Sequence, residues 1–392
     1  LDMFGDNNGD GIQDTVNPVT IGGLISGAGT IYPRGTNGTM TLTGANTFSG
    51  GFELQQPLTL QVAAVTNLGT AYVAIKFGST LRYTGSGSET MTRTIWMDSG
   101  SGGYIDIQNA SASLTWNPGG GTVNQDFTKI GAGALTYGGV ISGNAVVRVN
   151  GGTLTLSGAS TYLGPTFVNS GKLFVNGSLP AANAVVVASG STLGGTGTIN
   201  CPVDLQTGSF LRPGVNAIGT LTINSPLTLG AGSSTFMEMD GGAATCDRVA
   251  SASTVTYGGT LTVNNLGATP AAGTRFKLFS AVDRLGSFSS ISLPTLPPPL
   301  TWSNSLAIDG SITAVLGVNT TPTNITAVVS GGNLNISWPS DHTGWRLEVQ
   351  TNSVAVGIST NWVTVPGSTT VNSVAVPLDP VNPTVFYRLV YP

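Results

Sequence analysis

The stretch GTLTLSGASTYLGPTFVNSGKLFV, residues 152–175, decides the fold. Its first half repeats an earlier segment, GTMTLTGANTFSGG at 38–51 against GTLTLSGASTYLGP at 152–165. The segments immediately C-terminal to these also align, FELQQPLTLQV against TFVNSGKLFV, with one residue of offset. Shorter echoes stand at 133–139 (GALTYGG), 219–225 (GTLTINS) and 259–265 (GTLTVNN). Each is a glycine followed by alternating apolar and hydroxyl residues, the period-two pattern of a half-buried strand. Recurrence at a period of about 20 to 50 residues is the mark of a stacked-repeat architecture.

A single unit of strand, glycine corner, strand and corner cannot bury its apolar face. Units wound in parallel can, with Leu42, Leu154, Leu156, Leu221 and Leu261 inward, Thr and Ser outward, and backbone groups satisfied by the coils above and below. The pattern therefore predicts an all-β chain, a right-handed parallel β-solenoid (β-helix) over residues 20–317. With ~20 residues per coil and ~4.8 Å between coils, the stack would be roughly 70 Å long. A string of separate β-sandwiches accounts for the strands but not for the recurrence of one sequence unit.

Composition agrees. Of 392 residues only 8% are charged, with 14 Lys+Arg against 18 Asp+Glu, one His and 56 Gly. Glycine and asparagine accept tight corners while Val and Thr fill pleated surfaces, so long helices are not expected. A net charge of −4 without a basic run gives no footprint for nucleic acid or an anionic membrane. No segment reaches the ~18 consecutive apolar residues of a membrane span, and the opening LDMFGD is not a signal peptide, which reads as a mature chain. Cys201 and Cys246 lack metal-ligand spacing, and one disulfide and two buried thiols stand as equal alternatives.

At the repeats a family resemblance is plain. GTLTLSGASTYLGPTFVNSGKLFV resembles the autotransporter-associated β-strand repeat of secreted bacterial passenger proteins. STLGGTGTINCPVDLQTGSFLRPGVNAIGTLTI (191–223) is similar to the region C-terminal to such repeats, and residues 257–315 resemble the family's terminal segment. The resemblance implies a solenoid and an extracellular or cell-surface location, and it brings no catalytic residues. Autotransporters end in a membrane barrel and this sequence does not, so export by another route is implied.

The proline-rich LPTLPPPLTW at 293–302 is expected to cover the end of the solenoid. After the linker VLGVNTTPTN (315–324), residues 325–392 read as six short antiparallel strands: ITAVVSG, NLNISWP, GWRLEVQT, NWVTVPG, NSVAVPL and TVFYRLVYP. Trp338-Pro339, the WRLEVQ strand and Tyr387 resemble a fibronectin type III module, a small immunoglobulin-like β-sandwich that ordinarily has about seven strands.

Within the N-terminal extension, residues 1–19, DNNGDGIQD sets Asp6, Asn8, Asp10, the Ile12 carbonyl and Asp14 at the spacing of a calcium loop, with Gly11 at the sharp turn. The bidentate glutamate at the twelfth position is replaced by Asn17, so the loop resembles the short calcium loops of thrombospondin type 3 and dockerin repeats. A Ca²⁺ ion here is a structural clamp; a polar Asn/Gly turn is the competing reading. Glu238, Asp240 and Asp247 are the nearest approach to paired carboxylates, and alternation puts Glu238 and Asp240 on one strand face. A solvated edge that blocks sheet aggregation explains them equally well. Arg212, Arg248, Arg275 and Lys277 are dispersed in sequence. Trp96 and Trp116 are candidates for stacking on sugars, though buried corners are the commoner use of such residues. His342, beside Asp341 and without a nucleophile, reads as a surface histidine.

These features point to a secreted structural protein with no enzymatic role, a fibre subunit or surface adhesin. Its copies would join head to tail, with residues 15–24 of one chain completing a sheet or a solenoid end in the next. The alternatives are a polysaccharide-binding or polysaccharide-degrading β-helix protein, with a surface glycan as partner, and a passive adhesin that does not self-associate.

Overall fold

Inward residues of the period-two strands stack on inward residues of the next coil, as Met40 on Leu60 and Leu135 on Leu154, and the backbone hydrogen bonds run between coils. The computed structural model describes residues 4–5, 15–16, 18–33, 37–70, 72–181, 183–382 and 384–391. Two units are distinguished: the first is residues 1–269, 275–294 and 304–312, the second residues 270–274, 295–303 and 313–392.

The first unit is a parallel β-solenoid with three faces. Face A runs from Val19–Ile21 through Thr39–Leu42, Thr59–Val62, Ser79–Tyr83, Gly103–Ile107 and Phe127–Ile130 to the long strands Val147–Leu156 and Thr166–Val175. It continues through Val185–Val187, Val203–Leu205, Leu227–Leu229 and Thr254–Tyr257 to Asp283–Gly286. Every neighbouring pair in it is parallel. Face B runs from Ser88–Met91 to Ser290–Ser292, and its middle is the second half of the two long strands. Face C is built of short strands such as Gly51–Leu54, Ile95–Met97 and Thr220–Ile223. The five leucines expected inside, Leu42, Leu154, Leu156, Leu221 and Leu261, are all buried.

Coils are not uniform. Face A partners are 18 residues apart at Val185↔Val203, 24 at Gly103↔Phe127 and 29 at Thr254↔Asp283. The thirteen described strands of face A thus stack to about 58 Å, shorter than uniform 20-residue coils would give.

The two copies of the sequence unit do not occupy the same place in the stack. In the first, Thr39–Leu42 lies on face A and is followed by a corner and then Gly51–Leu54 on face C. In the second, Thr153–Leu156 lies on face B and the strand after the corner returns to face A. The 24-residue coils between them, with a strand on each face, shift the corner by one face. Its local construction is kept. Asn46 Oδ1 accepts the Ile25 amide of the preceding coil at 2.8 Å, and at the matching position Ser160 Oγ accepts the Ile141 amide at 3.3 Å. Phe48 and Tyr162 fill the corner behind them, both buried.

Stacking also explains the glycines. A Cβ at Gly158 would stand 2.1 Å from the Gly139 carbonyl oxygen, one at Gly177 2.2 Å from that of Gly158, and one at Gly197 2.2 Å from that of Gly177. Corner backbones of successive coils approach too closely for any side chain.

In the second unit, two three-stranded antiparallel sheets face each other. One orders Thr326–Ser330, Asn333–Ser337 and Ser373–Pro377; the other orders Val363–Thr364, Arg346–Thr351 and Val385–Val390. Ile336, Trp338 and Leu347 are their buried core, flanked by Val374, Tyr387 and Leu389. These are the six strands read from the sequence. No helix among the described residues is long and apolar enough to cross a membrane.

Candidate functional site

The calcium-loop residues Asp6, Asn8, Asp10, Ile12 and Asp14 lie outside the described residues. Among the described residues, no three His, Cys, Asp or Glu side chains gather as a metal site.

The carboxylates meet differently from the sequence pairing. On face B, Ser234–Asp240 sends Thr235, Met237 and Met239 inward and leaves Glu238 and Asp240 on the outer face, as alternation requires. Asp240 then serves its own turn: Oδ1 accepts the amides of Gly242 at 2.9 Å and Ala243 at 3.0 Å. The chain folds back antiparallel, pairing Met239 with Cys246, and so delivers Asp247 beside Glu238. Asp247 is buried and accepts the Gly219 amide on Oδ1 and the Glu238 amide on Oδ2, both at 2.8 Å. Burial pushes its carboxyl up to about 6, the neighbouring Glu238 adds to the rise, and the two amides oppose it. Glu238 Oε2 is itself buried without a hydrogen-bond partner. Both acids line one small cleft with Arg212, Phe236 and Asn264. Of the dispersed cations, Arg212 is therefore the one that joins them, while Arg275 pairs with Asp309 at 2.5 Å.

The two tryptophans separate. Trp116 is buried and its Nε1 donates to the Arg93 carbonyl at 2.9 Å. Trp96 is half-buried on the outside of face C, in an open hollow of about 490 Å³ beside Tyr72, Glu53, Lys76 and Asp98. The polar groups there satisfy each other, Tyr72 Oη donating to Glu53 at 2.5 Å and Lys76 pairing with Asp98 at 3.0 Å.

His342 is not a surface residue, contrary to the sequence reading. It is 3% exposed, and its ring packs against Trp345 at 5.1 Å between centroids. Nδ1 faces Asp341 Oδ1 and Nε2 faces the Thr321 carbonyl oxygen, each at 2.7 Å. Both partners are acceptors, an arrangement that favours a ring donating from both nitrogens. Burial works against the charge of such a ring, and the Thr321 carbonyl and Asp341 carboxylate outweigh it, so His342 titrates above its ordinary range.

Cys201 and Cys246 are separate thiols, each pushed up to about 11, chiefly by burial. Sequence reading passed over Lys129, which is 0% exposed on face A, in register between Ile105 and Val149. Its ammonium donates to the carbonyl oxygens of Ile130 at 2.6 Å, Gly131 at 3.0 Å and Gly151 at 3.3 Å.

The passenger-associated-transport-repeat model matches residues 37–56 and 148–173. The chain carries passenger-type repeats. Each matched segment contains one of the corners built on Asn46 or Ser160, and together with the solenoid they support a protein of the autotransporter-passenger type. No curated protein matches the chain.

Proposed function

We propose that the chain is a secreted structural protein, an extracellular fibre subunit or cell-surface adhesin, whose copies join head to tail by strand addition. The observation that carries this reading is the strand Val385–Val390. Its six residues pair on one side with Arg346–Thr351, and the other edge is unpaired among the described residues. In the fibronectin type III sandwich that this unit resembles, a further strand lies beside that edge. An extended segment from another copy would extend the sheet, with backbone hydrogen bonds giving affinity and alternate side chains giving register. The donor is residues 15–24. Val19–Ile21 pairs with Met40–Leu42 in its own chain, so donation exchanges an intramolecular pairing for an intermolecular one. Such contacts are heterologous and do not close, which builds filaments. In this reading calcium held by Asp6, Asn8, Asp10, Ile12 and Asp14 fastens the donor end.

Light scattering behind size-exclusion chromatography, with electron microscopy of the same fractions, tests the proposal. Chains of particles that lengthen with concentration support it. A strictly monomeric protein at high concentration with calcium present overturns it.

A further inference from the structure

Face B carries unlike side chains on successive coils. Lys172 and Phe174 point outward from one coil, Thr192 and Gly194 from the next and Phe210 and Arg212 from the third, in register Lys172↔Thr192↔Phe210 and Phe174↔Gly194↔Arg212. The middle coil thus offers only small groups. A cleft of about 310 Å³ opens over it, and the flanking backbones stand about 9.6 Å apart. Gly194 keeps the cleft open: a Cβ there would lie 3.2 Å from Phe174 Cδ1 and 2.2 Å from the Arg212 carbonyl oxygen.

The walls are aromatic and the rim is cationic. Phe174 and Phe210 are half-buried, Lys172 and Arg212 are exposed. Neither cation pairs with a carboxylate among the described residues. The Arg212 guanidinium lies 4.5 Å from the centre of the Phe236 ring, which fixes its position without occupying its N–H donors. Asn216, from the loop after Pro213, closes one end with an amide.

Aromatic walls, polar ends and cations that no carboxylate pairs among the described residues describe a ligand that is ring-shaped, hydroxylated and anionic. The geometry points to a binding subsite for an acidic pyranose, a hexuronate unit of a polysaccharide, seated between Phe174 and Phe210 with its carboxylate on Lys172 or Arg212. A single-stranded nucleic acid also stacks on aromatics between cations, but it brings a phosphate with every nucleotide to a chain of net charge −4. Two cations suit isolated carboxylates better. The subsite is independent of how copies assemble.

Calorimetric titration of the full chain tests it, with tetragalacturonate as the probe and its methyl ester, inorganic sulfate and oligothymidylate as comparisons. The expected result is saturable binding of tetragalacturonate that weakens at least about tenfold in F174A and in at least one of K172Q and R212Q, and similarly for the methyl ester. The two charge variants replace exposed side chains, and thermal melting matched to the parent establishes that they fold. The assignment is overturned if tetragalacturonate does not bind at millimolar concentration, if all three variants bind it unchanged, or if sulfate or oligothymidylate binds as tightly. Filament formation in K172Q is expected to match the parent.

Discussion

Replacing Lys129 separates what its stem contributes from what its charge costs. The side chain is 0% exposed, and burial lowers its pKa from 10.5 to about 8, the nearby Asp106 carboxylate partly offsetting the effect. The unfolded chain therefore holds the proton more tightly than the folded one. The resulting penalty is fully present below about pH 8, fades as pH rises toward 10.5 and is gone above it; its full size is about 3 kcal/mol. Lys129→Met keeps an apolar stem of similar length, removes the penalty and leaves the carbonyls of Ile130, Gly131 and Gly151 without that donor. Lys129→Ala also empties the space between Ile105 and Val149, at a further cost of about 2 to 5 kcal/mol. Urea unfolding followed by circular dichroism at about pH 7 and about pH 10 is the assay. The parent is expected to gain about 2 to 3 kcal/mol relative to Lys129→Met between those pH values, with Lys129→Ala about 2 to 5 kcal/mol less stable than Lys129→Met at both. A parent-to-Met difference that does not change with pH would refute the reasoning, because it would mean that the ammonium reaches solvent.

Two further outcomes concern the corners and the histidine. Gly158→Ala is expected to destabilise the solenoid by about 1 to 3 kcal/mol or more, because its Cβ would meet the Gly139 carbonyl at 2.1 Å, whereas Gly29→Ala, with open space around it, stays within about 0.5 kcal/mol of the parent; thermal melting of the pair checks this. His342 is the one histidine of the chain, so its proton resonances need no assignment experiment. Its folded pKa is raised, so the stability it contributes is complete below its unfolded pKa of 6.5 and is lost as pH rises through the folded value. A nuclear magnetic resonance titration midpoint at or below 6.5 would contradict the doubly donating ring.

Period-two alternation carried most of the architecture, down to which leucines face inward. It also held the signal for Lys129, because parity along FTKI places residue 129 on the side of Phe127, which is buried. The charge hid a correct pattern. The turn at Asp240 was legible too: an aspartate followed by two glycines favours a turn in which its carboxylate accepts the next amides, and that use removes it from the pair expected with Glu238. Other features had no local trace. The burial of His342 depends on Thr321, far back in the chain, and on Trp345, and neither contact has a spacing rule. The shift of the repeat from face A to face B depends on the lengths of intervening coils whose sequences do not repeat.

Coil length is also where a site arises on an otherwise uniform stack. Coils of 18 and 19 residues, such as those closed by Val185↔Val203 and Val147↔Thr166, have no residues to spare beyond strands and corners. The next coil takes 24 residues from Val203 to Leu227, and the surplus is the loop after Pro213 that brings Val215 and Asn216 over face B. The coil after it takes 28, from Leu227 to Val255, and its surplus is the reversal that brings Asp247 to Glu238. Insertions in a repeat protein collect on one face and there build binding surface. Replacing residues 214–218 by a tight two-residue connection should accordingly leave the stack folded, since each coil is held mainly by its nearest neighbours, while removing the wall that Val215 and Asn216 supply. Tetragalacturonate affinity is the measurement. If the shortened protein melts with the parent and still binds the acidic oligosaccharide unchanged, concavity made by coil length is not what defines the site.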